Sequence, residues 1–103
     1  MKPIVVCLCG STRFSDAFRE ANLSETLAGR IVLSIGCDCK SDDELGLGEA
    51  EKARLDELHL RKIDLADEVL FLNVNGYIGP STQRELTYAQ AHAKVIRFLE
   101  PIR

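Results

Sequence analysis

Nowhere in the 103 residues does an apolar run approach the roughly 18 positions that a membrane-spanning helix requires, so no membrane partner is expected. Basic charge is also scarce. Thirteen Lys and Arg against 16 Asp and Glu leave a net charge of -3 and a pI near 5.3, and the cations are scattered among acids. Without a basic stripe, a nucleic-acid backbone is not an expected partner, while a small anion held locally is compatible with this balance. The N-terminus carries one Lys before a short apolar stretch and lacks the cleavage region of a signal peptide, which predicts a cytoplasmic protein. Two phosphate-binding signatures are missing as well: the Walker spacing and the glycine-rich dinucleotide fingerprint. There is no repeat, no low-complexity tract and no internal boundary, so residues 1–103 read as one domain. A chain of this size buries only about two thirds of its unfolded surface, and a homodimer is expected to cover the remaining apolar faces.

What is present is an alternation of two periodicities. Residues 3–9 form a continuous apolar run of the kind buried on both faces in parallel sheets. Phe14, Ala17, Phe18 and Ala21 then recur at helical spacing, and Gly29 stands where such a helix ends. Residues 30–35 predict a second strand. The segment 36–48 is polar, acidic and glycine-rich, the longest loop, suited to a lid, a binding segment or a plain linker. From 49 to 65 the pattern is helical, with Leu55, Leu58, Lys62 and Leu65 as its apolar stripe and Glu57 placed to pair with Arg61. Residues 67–73 predict a third strand. A helix after Pro80 follows, its face marked by Leu86, Ala89 and Ala93, and then a fourth strand over 94–99 with a short tail that can cover an edge.

The order β-α-β-α-β-α-β predicts an α/β fold: a small doubly wound three-layer sandwich, flavodoxin- or Rossmann-like, with a four-stranded parallel sheet in the order 2-1-3-4. That order sets the loops after strands one and three side by side at the switch point, where helix N-termini and free amides converge on ligands.

The first loop, Gly10-Ser11-Thr12-Arg13, offers close backbone approach, two hydroxyls and a guanidinium; the competing reading is an ordinary helix cap with a solvated arginine. The second loop holds Asn73, Gly79, Ser81 and Thr82 and leads to Glu85, expected in the first helical turn and the candidate catalytic carboxylate. Thr82-x-x-Glu85 also has capping-box spacing, in which the carboxylate returns to a backbone amide and does no chemistry. His59 and His92 are lone histidines without a sequence partner and read as structural or exposed. Asp67 reads as a turn or solvated residue.

The four cysteines form two Cys-x-Cys pairs, Cys7/Cys9 and Cys37/Cys39. A four-thiolate zinc site is the sharp reading. The tighter-than-usual spacing favours inert buried thiols and no bound metal.

The whole chain resembles the nucleoside 2-deoxyribosyltransferase-like superfamily, which includes the 2′-deoxynucleoside 5′-phosphate N-hydrolases. Leu8-Cys-Gly-Ser-Thr-Arg13 is similar to that family's Gly-Ser-x-Arg turn, and Ala66-Asp-Glu-Val-Leu-Phe-Leu followed by residues 81–95 is similar to its strand, loop and glutamate-bearing helix. Thr87 and Ala93 stand where the family carries glycines. The resemblance implies cleavage or transfer of the N-glycosidic bond of a nucleoside or nucleotide, without a cofactor. It implies Glu85 as nucleophile, Ser11, Arg13 and Ser81 or Thr82 on phosphate, and Asn73 near the sugar. The acid that assists the leaving base falls among Asp38, Asp42, Asp43 and Asp64. A carboxylate beside the anomeric carbon suits a sugar that gains oxocarbenium character. The alternatives are a non-catalytic nucleotide-binding or sensor domain and a bare oligomerisation module.

Overall fold

In chain order the elements are β1 (Val5–Cys9), α1 (Ser15–Leu27), β2 (Ile31–Leu33), α2 (Asp42–Leu45), α3 (Glu49–Leu65), β3 (Glu68–Phe71), α4 (Pro80–Ala91) and β4 (Val95–Phe98), in a computed structural model that describes residues 2–36 and 40–102. The four strands pair in parallel in the order β2-β1-β3-β4, the order that the sequence alternation predicts. Among the described residues no helix is long and apolar enough to cross a membrane.

Side-chain alternation on the strands divides the core in two. Cys7, Cys9, Val69 and Phe71 face Ile63 and Ala66 from the α3 end and Leu86 and Ala89 of α4. Val6, Leu8, Leu70 and Leu72 face Phe18 and Ala21 of α1. In register, Cys9 lies opposite Phe71 and Phe71 opposite Phe98. The chain therefore leaves β1 and β3 at the same level, and the two loops that follow emerge together.

Several expectations shift in detail. The inward face of α3 carries half-buried Leu55 and buried His59 and Ile63, continued by Ala66 just past its end; Leu58 and Leu65 are 51% and 71% exposed. The helix is thus rotated by about one position from the predicted face, because its sheet-facing line is completed by a histidine that reads as polar. α4 ends at Ala91, and Ala93 lies beyond it, exposed, at φ 55°. Main-chain bonds close the join, the Ala93 and Lys94 amides donating to the Gln90 and Ala89 carbonyls at 3.2 and 3.1 Å, and Lys94 Nζ donates to the carbonyls of Asp64 and Ala66 at 3.1 and 2.7 Å, at the C-terminal end of α3. Part of the long loop is helical, with Ser41 and Glu44 forming a capping box and Gly46 ending the turn at φ 68°. Asp67 is no idle surface residue, since its Oδ2 accepts from the Val5 amide at 2.9 Å. The tail does not cover an edge as a strand. Its Glu100 docks on the loop after β3, where Oε2 accepts from the Asn75 amide at 2.9 Å.

Candidate functional site

A cleft of about 320 Å³ opens where the loops after β1 and β3 meet, within the range of small-molecule sites. Gly10, Ser11 and Thr12 line one part of it, Gly79, Ser81, Thr82 and Glu85 another, and the α2 segment contributes Lys40, Ser41, Asp42 and Leu45. Residues some seventy positions apart in sequence thus share a pocket. The long loop supplies one of its walls, but its Asp38, Cys37 and Cys39 lie outside the described residues.

Neither loop is a plain helix cap. α1 starts after Phe14, which makes no side-chain cap, so Ser11 and Thr12 precede the helix. The Ser11 hydroxyl instead accepts from the Arg13 amide and Nε at 3.3 and 3.2 Å, and its carbonyl accepts from the Phe14 amide at 3.0 Å. Gly10 has little room for a side chain: a Cβ there would stand 3.2 Å from Leu72 Cβ and 3.4 Å from its carbonyl oxygen. α4 starts at Pro80 with Gly79 as its cap, and no side chain closes that end. This overturns the capping-box reading of Thr82 and Glu85. Thr82 is buried within the first turn, and Glu85 belongs to the second turn, not the first, where no terminal amide is left for it to accept.

Three of the anticipated residues do not line the cleft. Arg13 is exposed, its guanidinium 4.4 Å from the centre of the Tyr77 ring, and Tyr77 is the residue that borders the cavity. Asn73 is 2% exposed, and its amide is spent on the main chain of Glu100, donating to the carbonyl at 3.0 Å and accepting from the amide at 2.8 Å. Asp64 lies on the outer side of α3, accepting from the Tyr88 hydroxyl at 2.6 Å and pairing with Arg61 at 3.1 Å. Of the other acids named for proton transfer, Asp42 lines the cleft.

The residue that sequence reasoning set aside is His59. It lines the cleft at 8% exposure, and its Nε2 is 3.3 Å from Cys9 Sγ and 3.7 Å from Cys7 Sγ. Two clues point to it: Cys7 and Cys9, two apart on one strand, share a face, and His59 falls four residues from both Leu55 and Ile63. Lys62, one turn along, donates from Nζ to the Ser34 carbonyl at 2.7 Å and also lines the cleft.

These groups act on one another electrically. Burial lifts the Glu85 carboxyl above its ordinary value, with partial relief from the charge of His59 and the Cys9 thiol. Burial works against a charged His59, but the Cys7 sulfur and the Glu85 carboxylate outweigh it and raise the imidazole above 6.5. The Cys9 thiol supports a thiolate at Cys7, lowering it to about 5 against the penalty of burial, while burial pushes Cys9 itself well up. A basic imidazole, a carboxyl raised by burial and a wall of hydroxyls and amides therefore meet in one partly dehydrated pocket, an arrangement compatible with proton transfer and nucleophilic attack.

Compared with the models of known protein families, with curated proteins and with solved structures, the chain gives no match.

Proposed function

We propose that this protein cleaves or transfers the N-glycosidic bond of a nucleoside, deoxynucleoside or corresponding 5′-monophosphate, with Glu85 as the nucleophile. The observation that carries the reading is the cleft that holds Glu85 together with the 10–12 turn and Gly79, Ser81 and Thr82. Backbone amides and hydroxyls of the two loops, with Lys40 and Lys62, suit the phosphate or sugar hydroxyls of such a ligand. Glu85 attacks the anomeric carbon as the bond to the base breaks, and the base leaves with a proton from His59 or Asp42, both of which border the cavity. The resulting glycosyl ester is opened by water in hydrolysis or by a second base in transfer, which returns the carboxylate.

We further propose that the protein is cytoplasmic and a homodimer. Exposed Leu23 and Leu27 on α1 and Leu58 and Leu65 on α3 leave apolar side chains on both outer layers for a partner to cover.

The test is release of free base from a panel of nucleosides and nucleoside monophosphates, compared between the protein and Glu85→Gln, with mass spectrometry of acid-quenched mixtures. Base release by the parent chain, a glycosyl adduct on the peptide bearing Glu85, and a loss of at least about a thousandfold in the variant are expected. Equal rates for parent and variant would overturn the nucleophile. Nucleotide binding without any release would leave a sensor domain.

A further inference from the structure

Cys7 and Cys9 project from the central strand β1 toward α3, both with no exposed surface. His59 descends on them from α3, and the two Sγ atoms and the imidazole nitrogen all lie within 4.8 Å of one another. The two sulfur-to-nitrogen separations are 3.7 and 3.3 Å. A tetrahedral ion with metal–sulfur bonds of about 2.3 Å and a metal–nitrogen bond of about 2.05 Å needs its sulfur and nitrogen ligands about 3.6 Å apart. The observed separations straddle that value, so an ion can be seated by small side-chain rotations while the strand and the helix stay in place.

Donor chemistry narrows the choice of ion. Two thiolates and an imidazole suit zinc and its borderline-soft neighbours, and disfavour magnesium or calcium, which take oxygen ligands. Access is available through the cleft, because His59 and Glu85 both form part of its lining. The Glu85 carboxylate stands outside this three-residue cluster but lines the same cleft, so it reaches a seated ion by side-chain rotation.

We propose that Cys7, Cys9 and His59 form a zinc-class metal site at the base of the cleft, with Glu85 closing the fourth, cleft-facing position. Binding exchanges bonds from the ion to water for two metal–sulfur bonds and one metal–nitrogen bond, and any of the three ligands that carries a proton at the binding atom releases it to solvent; His59 binds through Nε2 as the neutral imidazole. The proposed ligand set does not include Cys37 or Cys39, so it differs from a four-thiolate centre. An ion here engages both His59 and Glu85, so metal binding and glycosidic chemistry compete. The metal inference does not depend on that chemistry, because binding is read directly.

The experiment uses reduced, chelator-treated full-length protein titrated with Co²⁺ and then with Zn²⁺. Expected are an ultraviolet thiolate-to-cobalt charge-transfer band, strong visible bands of tetrahedral cobalt, and displacement of cobalt by one zinc per chain. Cys7→Ser and Cys9→Ser should each lower zinc affinity by about a hundredfold or more, and Glu85→Gln by about tenfold with the charge-transfer band retained. Should the core serine variants fail to fold, His59→Gln leaves both thiols in place and should lose affinity to the same extent. The double variant Cys37→Ser, Cys39→Ser should bind as the parent does. Absence of the charge-transfer band in the parent protein overturns the proposal, as does a band of undiminished intensity and unchanged affinity in folded Cys7→Ser, or loss of the band in the double variant.

Discussion

Replacing Glu85 by Gln should stabilise the protein, and the size of the gain should depend on pH. The substitution keeps the shape of the side chain, its helix propensity and its ability to accept from the Cys9 thiol, and it removes only the charge. Burial raises the carboxyl above its ordinary 4.5 in the folded chain, which means that the native state holds this proton more tightly than the unfolded state. Below the unfolded value both states are protonated and the group contributes nothing. As pH rises through the window between the ordinary and the raised values, the parent chain loses stability, and above it the full penalty stands. Each tenfold difference in proton affinity between the two states corresponds to about 1.4 kcal/mol, so the gain should be almost absent near pH 4 and reach its full size only above the raised value. One opposing effect is built in. The variant deprives His59 of an attractive partner wherever the imidazole is charged, so the gain should be largest toward the alkaline end. Urea unfolding of parent and variant across this range measures the difference directly. A variant that is less stable by the same amount at every pH would refute the reasoning, since that is the signature of a neutral structural contact.

Two further outcomes follow from the geometry. In metal-free protein the His59 imidazole should titrate above 6.5, so its stabilising contribution is complete below that value and is lost as pH rises through the folded midpoint; Cys7→Ser should lower that midpoint in an NMR titration, and an unmoved midpoint would remove Cys7 as its partner. Ala93, at φ 55°, occupies the left-handed region that costs an alanine about 1–2 kcal/mol, so Ala93→Gly should raise stability by about 0.5–1 kcal/mol after the added flexibility of the unfolded chain is subtracted, and a lower thermal midpoint would contradict this.

How far the fold was legible follows from which signals are local. The runs at β1 and β3 are apolar at every position because both faces of a central parallel strand are covered, and the helices between them repeat at a different period. Those two facts fix the strand order through the handedness of the crossovers. The same logic brought Glu85 and the 10–12 turn to one cleft. What could not be read locally was the use of individual polar side chains. Asn73 carries the right groups for a sugar, yet the return of Glu100 after β4 claims both halves of its amide. Asp64 and Glu85 are both helical carboxylates, and only packing decides that one meets Tyr88 and Arg61 while the other meets Cys9 and His59.

The bounds of α3 are those that its periodicity predicts, and only its inward face differs, which shows why the site is less legible than the sheet. Helix faces are inferred by taking leucines as inward and charged residues as outward, and the leucines at 55, 58 and 65 give a consistent but slightly rotated stripe. Rotating the helix back exposes two of those leucines and turns His59 onto the sheet. An apolar side chain there would leave two thiols in an ordinary core, and the hydrophobic pattern would be cleaner. The sequence gives up that cleaner pattern at a position facing Cys7, Cys9 and Glu85, where the imidazole gains three partners that leucine cannot use. A polar residue that breaks a helix stripe opposite a Cys-x-Cys strand is therefore a positional signal in its own right. It marks the place where local hydrophobic order is surrendered to chemistry between the two layers.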